Sequence, residues 1–334
     1  MKRSLLTGFL LAFCLASLIG APVRRAAASD CSNTSTGLVA LNDLGAGLYQ
    51  GAQGGLYPGG SNLRPAAHEE AGLEIARSIR PLNKKGRVAK KVKKGKIVLL
   101  SIGMSNTTQE FSAFKQIADS DLDKNPSLVI VDGAQGGMPA NDITDPNNPK
   151  MEQFWQTVDD RLRQAGVKPK QVQIAWVKQA DSRPNAAFPA HAIILQSELE
   201  AIARILKQRY PNIRLAYYSS RIYAGYASTS LNPEPYAYES GFAVKWMIEK
   251  QINGSPDLNF DPSRGEADAP WLAWGPYLWA DGLSARSDGL IWACSEFNND
   301  GTHPASGARS KVAGMLLDFF KSDSTAQLWF SAQK

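Results

Sequence analysis

Short, nearly continuous apolar runs alternate with amphipathic stretches from residue 96 onward. Lys96-Ile97-Val98-Leu99-Leu100-Ser101-Ile102 is the first such run. A strand without a polar face is one buried on both sides. Residues 128–131, 172–177 and 213–218 repeat the pattern. Between and after them, apolar side chains recur at helical spacing. Phe111, Phe114 and Ala118 mark a helix over 108–118. Phe154, Val158, Leu162 and Ala165 mark one over 151–165, with Gly166 placed to cap it. Leu195, Leu199, Ile202 and Leu206 share one face of 191–210, and Phe242, Trp246 and Ile248 belong to 238–252. Val312, Met315, Leu316 and Phe319 line a last helix over 305–320. Such alternation predicts βαβ units in an α/β fold, a three-layer α/β/α sandwich around a mostly parallel sheet. Ligands of these sheets sit beyond the carboxyl ends of the strands, so the residues just after each strand are the ones to inspect.

Two regions break the rhythm. Residues 31–65 are rich in Gly, Asn and Ser, the chemistry of turns, with Leu, Tyr and Val interspersed. They predict an ordered wrapping segment, followed by a short helix over 66–79. Residues 253–290 combine Pro, Gly and Asp with Trp271, Trp274, Tyr277 and Trp279. They predict a long loop insertion near the site, outside the sheet.

The amino end changes the charge picture. Lys2 and Arg3 precede a mostly apolar stretch over 5–19, and Ala26-Ala27-Ala28 offers small residues for cleavage. The pattern predicts a signal peptide over 1–28 and a secreted or periplasmic protein, because the apolar core is too short to span a bilayer. An uncleaved anchor is the alternative. Four of the 37 basic residues and none of the 31 acids lie in 1–28, so the net charge of +6 falls to +2 without them. What stays uneven is the basic run over 84–96. It lacks interleaved aromatic residues, so no nucleic-acid binding is expected, and a solvated linker is the plainer reading. With the signal removed, Cys14 leaves, and Cys31 and Cys294 remain as a candidate disulfide in an oxidising compartment. Their spacing suits no zinc site.

The chemistry concentrates after the strands. Ile102-Gly103-Met104-Ser105-Asn106-Thr107 sets a serine on a tight strand-to-helix turn, where free N–H groups face developing negative charge. Taken alone, Ser105 or Thr107 could simply cap the helix. Asp132-Gly133-Ala134-Gln135-Gly136-Gly137-Met138 follows the second strand, and its glycines let backbone N–H groups approach a ligand. Gln179, after the third strand, can offer its amide N–H to an oxyanion. Asn298-Asn299-Asp300-Gly301-Thr302-His303-Pro304 is the sharpest local signal. An aspartate three residues before a histidine can orient the imidazole and stabilise its charged form after it takes a serine proton. Pro304 favours an extended His303. His68 and His191, the other histidines, read as structural.

In this order, Gly103-Met104-Ser105-Asn106, Gly136-Gly137, Trp176-Val177-Lys178-Gln179 and Asp300-Gly301-Thr302-His303-Pro304 resemble the SGNH (GDSL-like) hydrolase superfamily. The chain is most similar to its Gly-x-Ser-Asn branch, which holds sialate O-acetylesterases and some acetyl xylan esterases. The resemblance covers roughly 96–320 and implies a flavodoxin-like SGNH domain over 96–334, after a Gly-rich segment and basic linker over 29–95. It implies Ser105 as nucleophile, His303 as base and Asp300 as its partner. It also implies an oxyanion hole from Ser105, Gly137 and Gln179. Asn106, Gly136, Trp274 and Trp279 are the candidate substrate contacts, the tryptophans either as sugar-stacking faces or as packing for the long loop. Met104 stands where that branch usually has Gln, and the Gly-Glu that commonly follows Gln179 is missing. The function so implied is a secreted serine esterase that removes acetyl or other short acyl groups from carbohydrate. It needs no metal or cofactor, and its partner is a small-molecule or glycan ester. A monomer without a membrane span after signal cleavage is expected. The alternatives are a non-catalytic glycan-binding relative, an exported acyltransferase and a structural envelope protein.

Overall fold

A computed structural model describes residues 28–91 and 95–332. The signal-peptide stretch lies outside the described residues, apart from Ala28, as do Cys14 and residues 92–94 of the basic run. In chain order the elements are α1 (Leu41–Leu44), β1 (Leu48–Tyr49), β2 (Ala52–Gln53), α2 (Ala66–Ser78), β3 (Ile97–Gly103), α3 (Ser105–Asp119), β4 (Leu128–Asp132), α4 (Ala140–Thr144) and α5 (Pro149–Gln164). They continue with β5 (Val172–Lys178), α6 (Ala190–Arg209), β6 (Leu215–Tyr218), α7 (Tyr236–Ile252), β7 (Trp271–Trp274), α8 (Ser306–Ser322) and α9 (Gln327–Phe330).

Five strands form one sheet in the order β4-β3-β5-β6-β7, and every pairing is parallel. This is the flavodoxin-like order, with the chain starting at β3, stepping out to β4 and returning past β3 to β5. Right-handed crossovers then put α3 on one face and α5, α6 and α7 on the other. The packing agrees: α3 runs along α8, α8 meets α9 and α9 meets α2, while α4 meets α5 and α6, and α6 meets α7. All residues of β3, β5, β6 and β7 are buried, as the unbroken apolar runs require.

Within the predicted loop over 253–290, four residues belong to the sheet instead. Trp271-Leu272-Ala273-Trp274 is β7, the edge strand, paired with β6. Trp271 stacks on the His68 imidazole at 4.8 Å between centroids, and His68 bonds the Leu272 carbonyl oxygen through Nε2 at 2.8 Å. The Gly-rich amino segment does wrap the domain. Asp281 accepts the N–H groups of Thr36 and Gly37 at 2.7 and 3.0 Å, and both the Ser35 and Thr36 hydroxyls donate to it. Cys31 and Cys294 are joined by a disulfide that closes 263 residues of chain. No helix among the described residues is long and apolar enough to cross a membrane.

Candidate functional site

β3 ends where the backbones of β3 and β5 crowd together. A Cβ at Gly103 would collide with the Lys178 carbonyl and the Thr107 side chain, so only glycine fits. Helix α3 then starts three residues earlier than the apolar spacing implies, with Ser105 as its first residue. Met104 is the N-cap, extended and without a side-chain cap. Ser105 therefore leaves its hydroxyl free of capping, and Thr107 spends its own on the Lys178 carbonyl at 2.6 Å.

The loop after β4 is held against this turn by Asp132. Its carboxylate accepts the hydroxyls of Ser101 (2.6 Å), Thr108 and Ser112 (2.9 Å) and the Ala134 N–H (3.1 Å). Gln135 N–H reaches back to the Gly103 carbonyl at 3.0 Å. The loop thus delivers Gly136 to the serine, with the place of its missing Cβ 3.7 Å from Ser105 Cβ. Gly137 follows at φ +73°, a conformation open to glycine at little cost. Among the described residues, neither the Ser105 nor the Gly137 N–H donates to a protein acceptor.

Residues 298–303 form a closed loop: Asn298 N–H donates to the His303 carbonyl and Gly301 N–H to the Asn298 carbonyl, both at 2.8 Å. Asp300 Oδ1 accepts the N–H groups of Thr302 and His303, each at 3.0 Å, leaving Oδ2 for His303 Nδ1 at 2.5 Å. Burial opposes ionisation of Asp300. Those N–H groups and the imidazole outweigh it and hold the carboxyl below the usual carboxylate range. An ionised Asp300 accepts only, so Nδ1 carries the proton and Nε2 presents its lone pair. His303 Nε2 lies 2.8 Å from Ser105 Oγ. Asn106 ties the two loops together, donating through Nδ2 to the Thr302 carbonyl at 2.9 Å.

These groups open into a cavity of about 440 Å³ lined by Ser105, Asn106, Gly137, His303 and Arg221, among others. The structure brings together Ser105, Asn106, Gly136, Gly137, Asp300 and His303. It does not bring Gln179, Trp274 or Trp279. Gln179 is buried and points inward: Nε2 donates to the Met138 carbonyl and Oε1 accepts the Ala180 N–H, both at 3.0 Å. It pins the loop beyond Gly137 and does not line the cavity. Trp274 is a β7 core residue that donates to the Leu56 carbonyl at 2.6 Å. Trp279 is fully buried and donates to Glu234 at 2.8 Å. Neither lines the cavity that holds Ser105 and His303.

Four features escaped the residue patterns. Asp132 is the loop clamp just described. Beneath the serine, Lys178 donates to both oxygens of Glu110, at 2.6 and 2.5 Å, with both side chains sealed from solvent. Burial pushes the lysine down to about 8 even though Glu110 pulls the other way. Asp181 lines the cavity against Glu198, whose carboxyl is pushed up to about 9 by burial and then by Asp181. Arg221 lies just past the carboxyl end of β6. The inspection rule for strand ends points at Ser219-Ser220-Arg221 as directly as it points at Ser105.

No family model matches the chain, and no curated protein matches it. Among solved structures, a Bacteroides fragilis protein described as an acylhydrolase aligns over 80% of this chain and 100% of its own, at 10% identity and a TM-score of 0.39. A Parabacteroides merdae protein described as a GDSL-like lipase aligns over 70% and 96%, at 12% identity and 0.39. A carbohydrate acetylesterase from Xanthomonas citri aligns over 69% and 57%, at 11% identity and 0.34. All three superpositions are loose.

Proposed function

We propose that this chain is a secreted serine esterase that transfers the acyl group of a carboxylic ester to water through Ser105, His303 and Asp300. The observation that carries the proposal is the continuous relay from Ser105 Oγ to His303 Nε2 (2.8 Å) and from His303 Nδ1 to Asp300 Oδ2 (2.5 Å) at the wall of a cavity. Ser105 Oγ attacks the ester carbonyl as its proton passes to Nε2. Asp300 keeps the imidazole in the required tautomer and stabilises its charge. The tetrahedral oxyanion is taken up by the unengaged N–H groups of Ser105 and Gly137. Collapse breaks the bond to the alcohol, which leaves with the proton from Nε2. Water then attacks the acyl-serine, gives its proton to Nε2, and the acid departs with Ser105 Oγ reprotonated.

Secretion is supported by the amino-terminal sequence pattern and by a disulfide, which suits an oxidising compartment. A short acyl group on a carbohydrate is supported by the motif resemblance alone, since the tryptophans that suggested sugar stacking are core residues. Labelling with a fluorophosphonate tests the assignment. One equivalent should attach at Ser105 of the wild type and none to Ser105→Ala, and the variant should lose at least about 10³-fold of the hydrolysis of 4-nitrophenyl acetate. Equal labelling or equal turnover of the two proteins would remove the serine from the mechanism.

A further inference from the structure

Arg221 is 3% exposed and lines the cavity that holds Ser105 and His303. Its main-chain N–H is taken by Ser240 Oγ at 3.1 Å. Its guanidinium, with five donors in a planar fork, makes no ion pair or hydrogen bond among the described residues, and Nε is sealed off without a partner. The carboxylates that influence it are already engaged. Glu110 is held by Lys178 through both oxygens. Glu234 accepts the N–H groups of Ala224, Tyr238 and the Trp279 indole. Of the acids on the cavity wall, Asp142 is paired with Lys150 at 2.6 Å and Asp181 faces Glu198. A buried cation with empty donors is costly unless something supplies acceptors.

The same wall has two acceptors in want of donors. Asn106 Oδ1 and Asn232 Oδ1 are buried without partners. Their orientations are fixed, because Nδ2 of each already donates, to the Thr302 carbonyl at 2.9 Å and the Asp181 carbonyl at 3.3 Å. A flipped amide would set oxygen against oxygen at both places. The residues that line this one cavity thus include an unpaired guanidinium and two amide oxygens without donors.

We propose that Arg221 is an anion subsite, and that the ester cleaved at Ser105 carries a carboxylate, with hydroxyl groups near it, that fills these positions. A guanidinium matches the two oxygens of a carboxylate in a bidentate fork, so the contact selects charge and orientation together. The neutral acceptor of an unsubstituted sugar or alkyl ester would leave the charge of Arg221 buried and uncompensated. This inference rests on the esterase reading for the reaction, but the subsite can be tested without turnover.

Two pairs of esters separate the halves of the substrate. Mono-(4-nitrophenyl) succinate against 4-nitrophenyl acetate places the carboxylate on the acyl side. O-acetylated methyl glucuronoside against O-acetylated methyl glucoside places it on the alcohol side. At constant ionic strength, wild type should prefer the charged member of one pair by at least about tenfold in kcat/KM. Arg221→Gln should bring that ratio to within about twofold, and Arg221→Lys should restore part of it. Absence of a preference in both pairs with wild type, or a preference that survives Arg221→Gln, overturns the proposal. The wild-type comparison decides even if a variant fails to fold. In parallel, glucuronate should stabilise wild type and Ser105→Ala alike against thermal unfolding, glucose should not, and Arg221→Gln should lose the shift. Stabilisation by inorganic phosphate but by neither glucuronate nor succinate overturns the carboxylate assignment. If no ester is cleaved yet glucuronate binds through Arg221, the esterase reading fails and the subsite stands. If esters are cleaved without charge preference, the subsite fails alone.

Discussion

Replacing Asp300 with Asn tests the relay at its least obvious link. The substitution changes one oxygen to an NH₂ and leaves the size of the side chain nearly unchanged. Two orientations are open to the new amide. In one, its oxygen keeps the N–H groups of Thr302 and His303, both now at 3.0 Å, and its NH₂ faces His303 Nδ1. In the other, the NH₂ would face those two N–H groups, and each repulsive, unmade bond costs about 1–3 kcal/mol. The first orientation wins. It forces Nδ1 to accept, so the proton sits on Nε2, opposite the Ser105 hydroxyl that needs a base there. The side chains of His303 and Asp300 are about a quarter exposed (23% and 26%), so water can supply some of the missing help. We therefore set the loss near 10³-fold, about 4 kcal/mol of transition-state stabilisation, somewhat below the 10⁴-fold typical of a fully enclosed triad. The assay is steady-state hydrolysis of 4-nitrophenyl acetate by wild type, Asp300→Asn and Ser105→Ala, with thermal midpoints recorded to confirm intact folding. An Asp300→Asn variant within tenfold of wild type would refute the reasoning, because it would mean that His303 does not depend on Asp300 for its tautomer.

Two further outcomes follow from buried charge. Glu110→Gln leaves the Lys178 ammonium without its counter-ion beneath the serine turn and should cost about 3–5 kcal/mol in urea unfolding at pH 7, whereas the double change Glu110→Leu with Lys178→Met should cost much less; a single change under 1 kcal/mol would show the pair to be dispensable. His68 is buried against Trp271 and burial pulls it down to about 4 from 6.5, so its folded form takes up a proton later than its unfolded form on acidification. Its contribution is intact above about pH 6.5 and is lost progressively down to pH 4, about 3 kcal/mol in all. His68→Phe should flatten that part of the stability–pH curve, and an unchanged slope would place the acid sensitivity elsewhere.

How far the site was legible depended on whether its chemistry was local. Asp300, Gly301, Thr302 and His303 build their own loop, so a seven-residue string carries the arrangement of acid and imidazole. Ser105 was legible because a long apolar run ends just before it. The fold was legible for the same reason, with four of the five strands of the sheet predicted from unbroken hydrophobic stretches. β7 was missed because Trp271-Leu272-Ala273-Trp274 is only four residues long and sits among prolines, glycines and aspartates. Yet a short apolar run between Pro270 and Gly275, rich in aromatic residues, carries the signature of a buried strand. The same holds for Trp274 and Trp279: a long loop leaves their rings open either to sugar or to packing, and the strand and its surroundings bury both. Gln179 was misjudged differently. The sequence places an amide at a strand end, but only the fold decides that Met138 takes its N–H. Lys178 with Glu110, and Asp132 with its three hydroxyls, are contacts between distant segments that no periodicity announces.

The disulfide and its surroundings also fix which way the molecule faces when it is held by one end. Beside the Cys31–Cys294 link, Ser29 N–H donates to the Asn299 carbonyl and Asp30 N–H to the Tyr226 carbonyl, so the first described residues lie against the loop that carries His303. The other end is remote from it. Ala332 N–H donates to the Asp123 carbonyl and Ser331 bridges Lys124, just ahead of β4 and hence at the amino edge of the sheet. A bead, bulky fusion or sensor surface attached ahead of Ser29 would crowd the mouth of the cavity, whereas the same attachment beyond Ala332 would leave that mouth pointing into solution.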